Sequence, residues 1–122
     1  MPGLSARVEL EVADTDTAES FGSGDVPVLS TPRLVALCEQ ASCQAVAGHL
    51  AEGCTSVGKQ VQFDHLVPVS IGRTVWAEAT LDRIDGRRLT FTVSVSDGTG
   101  LVAAGKVGRV VVDRSSFLSR AR

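Results

Sequence analysis

No stretch of this chain is basic enough to grip a nucleic acid, and none is long and apolar enough to cross a membrane. Lys and Arg total 12 against 14 Asp and Glu. That near-neutral balance favours a small substrate over a polyanion or a membrane partner. Met1 to Val12 carries charges throughout, where a signal peptide would need an apolar stretch, so a cytoplasmic protein is expected. Cys38, Cys43 and Cys54 are odd in number and lack a CxxC spacing, which points away from both a disulfide framework and a zinc site. Reduced, mostly buried thiols are expected instead. Gly22 and Gly24 precede no strand-to-helix unit, so no dinucleotide loop is present. Internal repeats and low-complexity blocks are also missing, and no metal or redox cofactor is indicated.

At 122 residues the chain should form one domain, residues 1–122, with a single core. Any sizeable pocket then calls for a partner subunit. Val8, Leu10 and Val12 alternate with Arg7, Glu9 and Glu11, the period of a half-buried first strand. Asp14 to Asp25, rich in Thr, Ser, Gly and acidic residues around Phe21, reads as a mobile loop of the kind that covers sites. Thr31-Pro32 then opens a helix, with Thr31 as N-cap and Pro32 at the first helical position, running to about Leu50. Its apolar stripe is Leu34, Leu37, Cys38, Ala41, Ala45 and Gly48.

Beyond Gly53, strict alternation puts Val57, Lys59, Val61, Phe63, His65 and Val67 on one strand face and Gly58, Gln60, Gln62 and Asp64 on the other. Further strands follow from Val75, from Leu89 after an Asp85-Gly86 hairpin signal, and from Leu101 to Val112. Four strands in succession imply an antiparallel meander, and one long helix is available to cover its apolar face. The class is α+β.

Three residues carry candidate chemistry. Thr31 reads as an ordinary cap, yet the same position sets its hydroxyl beside the Arg33 and Leu34 amides, where the helix dipole favours an oxyanion. Glu39 is the only acid between Asp25 and Glu52 and lies mid-helix among apolar neighbours. It is either an exposed-face residue or a carboxylate that must be paired. His65, on the face of Val61 and Phe63, is either a satisfied core histidine or a general base. An Asp64/His65 pair would suit a hydratase, although Asp64 points to the opposite face. Arg87, Arg88, Arg109 and Arg114 read as surface charge or as contacts for an anionic ligand.

Thr31 eight residues before Glu39, His65 seven before Gly72, Gly86-Arg87-Arg88-Leu89 and Asp97-Gly98 occur in an order that resembles the fluoroacetyl-CoA thioesterase group of hotdog enzymes, over Val28 to Phe117. The resemblance implies a long central helix wrapped by an antiparallel sheet and hydrolysis of a small acyl-CoA thioester. It puts the family's catalytic Thr, Glu and His on Thr31, Glu39 and His65, with Gly58 and Arg109 near the acyl site. Arg33, Leu34 and Phe21 are the remaining candidates for substrate contact. Where the family carries an aromatic lid before its Thr, Glu19 to Val28 offers only Phe21, so fluoroacetate specificity is not implied. Hotdog domains also include acyl-CoA sensors without turnover and hydratases, and the site has to decide between them. Thr31 and Glu39 lie about 12 Å apart along a helix axis, so a homodimer, or a higher homo-oligomer, is expected to bring them together between chains.

Overall fold

A computed structural model describes all 122 residues, Met1–Arg122. The core is one face of a five-stranded antiparallel sheet laid against one long helix. The strands are β1 (Ser5–Glu11), β2 (Cys54–His65), β3 (Thr74–Asp85), β4 (Arg88–Ser96) and β5 (Leu101–Asp113), in the order β1-β3-β4-β5-β2. The meander expected of four successive strands is confined to β3, β4 and β5. β2 instead pairs with β5 at the far edge, so residues 66–73 carry the chain across to β3. β2 is therefore an edge strand of 12 residues.

Helix α2 (Thr31–Val46) buries Leu34, Leu37, Cys38, Ala41, Ser42, Ala45 and Val46 against Val75, Ala77, Leu81, Phe91 and Val93. Removing one of its buried leucine side chains should cost about 2–5 kcal/mol. The helix stops four residues short of the expected Leu50. Gly48, at φ +79°, lies past its end. The β3–β4 hairpin also turns one residue later than its Asp-Gly signal suggested: Asp85 pairs with Arg88, leaving Gly86 and Arg87 in the turn. Gly86 takes φ +62°, the conformation that a two-residue turn requires of its first residue.

The segment Asp14 to Asp25, read as a mobile loop, is ordered over its first half. Asp14–Asp16 forms a 3-10 turn and Ala18–Phe21 a short helix, α1, capped by the Thr17 hydroxyl, which accepts from the Ser20 amide. Asp16, Thr17 and Ala18 are buried, so the mobile loop is pinned at its beginning. Arg114–Ser119 forms a last helix, α3, capped by Asp113.

Strict alternation fails within β2. The ladder opposes Gly58 to Arg109 and then Gln60 to Gly108, so Lys59 is an extra residue in a bulge. The bulge reverses the parity of every earlier position. Gly58, placed by alternation on the face opposite His65, in fact shares the helix-facing side with Val61, Phe63 and His65.

Candidate active site

Ser-Thr-Pro at the start of α2 offers two hydroxyls, and the structure divides their tasks. Ser30, not Thr31, is the N-cap, its hydroxyl accepting from the Arg33 amide at 3.1 Å. The Leu34 amide donates to the Ser30 carbonyl at 3.1 Å. Both amides assigned from the sequence to an oxyanion are therefore already used. Pro32 has no N–H, so the remaining donor of the first turn is the Thr31 amide, which has no backbone partner.

Freed from capping, Thr31 Oγ1 lies 2.8 Å from His65 Nδ1. On the other side of the ring, His65 Nε2 lies 3.0 Å from the Val67 carbonyl oxygen. A carbonyl only accepts, so Nε2 must carry the proton and Nδ1 the lone pair. The Thr31 hydroxyl consequently donates to Nδ1. This is a hydroxyl–imidazole–carbonyl chain in which a backbone carbonyl fixes the tautomer. Asp64, the hydratase candidate, is exposed on the outer face and takes no part.

Thr31 and His65 open onto a cleft of about 320 Å³ lined by the strand end His65–Pro68 and by Ser23, Gly24, Val26, Val28, Leu29 and Ala18. Phe21 is exposed and outside this lining. The Arg33 side chain turns to Asp16, Nε to Oδ1 at 2.9 Å. Asp16 also accepts the Ala13 amide and, through its carbonyl, the Ser30 amide. The segment before α2 is thereby tied to the corner that presents Thr31.

Glu39 does not line the cleft. It forms a second cluster with Arg109, Nη1 to Oε2 at 2.9 Å. Arg109, whose side chain is only 8% exposed, also donates to the Ser56 hydroxyl at 2.9 Å and to the Ser56 carbonyl at 3.0 Å. It is a buried strut rather than surface charge. A Cβ on Gly58 would stand 2.5 Å from Glu39 Oε2, so only glycine leaves the carboxylate its place. One oxygen of Glu39 is held by the guanidinium; no hydrogen bond holds the other. Cys38, next along the helix, has its thiol pushed up to about 12 by burial and secondarily by the Glu39 charge. It is not a nucleophile at neutral pH.

Sequence reasoning named Thr31, Glu39, His65, Gly58 and Arg109 as candidates but not the groups packed around them: Ser30, Ser56, Asp16 and the Val67 carbonyl. Only Ser30 left a signal, as the residue before Thr-Pro. No helix is long and apolar enough to cross a membrane.

A family model described as fluoroacetyl-CoA-specific thioesterase (FlK) matches residues 12–115. The fluoroacetyl-CoA thioesterase of Streptantibioticus cattleyicolor is 33% identical over 95 residues, covering 78% of this chain and 68% of that protein. A structure of the fluoroacetyl-CoA thioesterase FlK superposes with a TM-score of 0.91 at 27% identity, over 98% of this chain and 93% of the other. A hot-dog-like protein from Thermanaerovibrio acidaminovorans gives 0.89 at 28% identity, over 98% of this chain and 88% of that one. The fold is the hotdog fold, and the chain belongs to the fluoroacetyl-CoA-specific thioesterase family.

Proposed function

We propose that this protein hydrolyses small acyl-CoA thioesters to the free acid and CoA, with Thr31 and His65 of one chain and Glu39 of a second chain at each site. The observation that carries the reading is the oriented pair, in which the Thr31 hydroxyl donates to His65 Nδ1 while Val67 holds Nε2. Family membership supports the reaction class.

In the first step Thr31 Oγ1, or a water held by it, attacks the thioester carbon as its proton passes to His65 Nδ1. The carbonyl oxygen gains the negative charge, which the Thr31 amide at the positive end of α2 stabilises. When the C–S bond breaks, Nδ1 returns the proton to the thiolate and CoA leaves as a thiol. If Thr31 itself attacked, water then cleaves the acyl-Thr ester with His65 again taking and returning a proton. The free oxygen of Glu39 aligns or activates that water.

Eight helical residues, about 12 Å of axis, separate Thr31 from Glu39, and the two clusters share no lining residue in one chain. A two-fold homodimer that brings the α2 helices together closes this gap and yields two equivalent sites. His65 then comes from the same chain as Thr31, since their contact is made within one chain.

The test is thiol release from acyl-CoA esters. Turnover without added metal or redox cofactor is expected, and His65→Ala should lose about two to four orders of magnitude in kcat while remaining folded. A folded His65→Ala protein with near-normal turnover would remove His65 from the site. Acyl-CoA binding without thiol release from any ester would favour the sensor reading instead.

A further inference from the structure

Helix α2 carries Thr31, Val35, Glu39 and Cys43 at four-residue intervals, which sets them along one ridge of its surface. The chain's own sheet leaves that ridge uncovered. Leu34, Leu37, Cys38 and Ala41 are buried beneath the helix, whereas Thr31 and Cys43 are exposed and Val35 and Glu39 half-buried. Thr31, Pro32, Ala36, Gln40, Cys43 and Gln44 are the exposed residues of α2, and none is charged. The solvent side of a surface helix ordinarily carries charges, so this side suits a covering partner. The uncovered surface continues onto β2, where Gly58 is exposed and Val61 is 37% exposed on the helix-facing side.

In the proposed shared site, a two-fold operation that brings Glu39 of the partner subunit to Thr31 also brings Thr31 of the partner subunit to Glu39. The two α2 helices then run antiparallel, and the residue midway between Thr31 and Glu39 meets its own copy. That residue is Val35. It stands one turn, about 6 Å of axis, from each of the two groups. A thioester carbon held between Thr31 and the partner's Glu39 therefore has two directions open to it along the helix pair. Inward lies the paired Val35, enclosed by both helices; outward lies solvent. CoA carries phosphates whose burial without counter-charge is costly, so CoA takes the outward direction and the acyl group faces Val35.

Resting on the shared-site thioesterase reading, we propose that the two-fold axis of the dimer passes between the two copies of Val35 and that this pair closes the inner end of both acyl pockets. Val35 is thus a specificity-determining residue for acyl length. About one turn of helix between the reacting carbon and this wall admits a short acyl chain only. Because the wall is apolar, a methylene that reaches it gains roughly tenfold in kcat/KM, and one that overruns it is rejected.

Two measurements on the full chain test the proposal. Val35→Cys, in chains that also carry Cys43→Ser and Cys54→Ser, should be oxidised by copper phenanthroline to a covalent dimer held by one symmetric disulfide, read on a non-reducing gel. Gln44→Cys in the same background, exposed on the opposite side of the helix, should remain uncrosslinked. Val35→Ala should raise the hexanoyl-to-acetyl ratio of kcat/KM for thiol release from the CoA esters by on the order of tenfold, and Val35→Ile should lower it. A protein dimeric by sedimentation in which Val35→Cys fails to cross-link, or does so no faster than Gln44→Cys, would overturn the position of the axis. An unchanged ratio in Val35→Ile, or in a folded Val35→Ala, would overturn the role of Val35 in acyl length. Both results leave the shared site intact where Thr31→Ala and Glu39→Gln chains complement one another. A monomeric protein, or verified heterodimers without complementation, would overturn the shared site and the proposal together.

Discussion

Ser30 and Thr31 make adjacent but separable contacts, and this makes the proposed role of Thr31 testable. Ser30 caps α2, so Ser30→Ala should cost about 1 kcal/mol of stability, measurable by denaturant titration. Thr31 contributes no cap, so Thr31→Ala should hold its melting temperature and lose turnover. A Thr31→Ala protein that is folded and fully active would show that its contact with His65 is incidental. Cys38 supplies a contrasting expectation. With its thiol pushed up to about 12, it should resist alkylation at neutral pH while exposed Cys43 reacts, and it should react only on unfolding. Its folded-state value lies above the ordinary 9.0, so its contribution to stability is complete below about pH 9 and declines as pH rises towards 12. At this scale the sequence was informative about residue types and weak about partners. A hydroxyl before proline, a lone helical carboxylate and a histidine on an apolar face can be read in one dimension. The Val67 carbonyl and the Ser56 hydroxyl cannot, because any residue has a carbonyl and many surface residues have a hydroxyl.

Among the elements, β2 shows where pattern reading stops. Its length and polarity are visible in the residues, but the extra residue at Lys59 leaves no compositional mark, and parity before it is therefore misread. The same limit explains the misplaced meander, since Val57 to Val67 has the composition of a central strand or an edge strand alike. Gly58 gains its meaning only after the bulge is known. Gly58→Ala should fold, because the clashing atom ends a flexible side chain, but it should push the Glu39 carboxylate off Arg109 and reduce kcat far more than stability. Gly105→Ala is the converse case: its Cβ would meet the Gln62 backbone oxygen across the sheet, and a loss on the order of 3 kcal/mol should follow. At the C-terminal end, hydrogen bonds from Ser116 hold the Asp113 carboxyl below the usual carboxylate range. Its stabilising effect is thus present above the unfolded value and lost as pH falls through the lowered folded one. Acid should release α3 before the sheet, and Asp113→Asn should remove that pH dependence; helix-resolved hydrogen exchange would report both.

For the whole molecule, 122 residues build one core and two separate polar clusters, Thr31 with His65 and Glu39 with Arg109, which the proposed dimer would join. Nothing in composition suggests this arrangement; the spacing of Thr31 and Glu39 on one helix, about 12 Å of axis, is what motivates it. The structure adds that His65 travels with Thr31 and Arg109 with Glu39, which fixes how damaged chains should complement one another. The decisive measurement mixes Thr31→Ala and Glu39→Gln chains, each inactive alone, unfolds and refolds them together, and assays thiol release from the best acyl-CoA ester. A heterodimer would carry one intact site and one doubly damaged site, so random assortment should restore about a quarter of wild-type activity. Verified heterodimers that remain inactive would contradict the shared site.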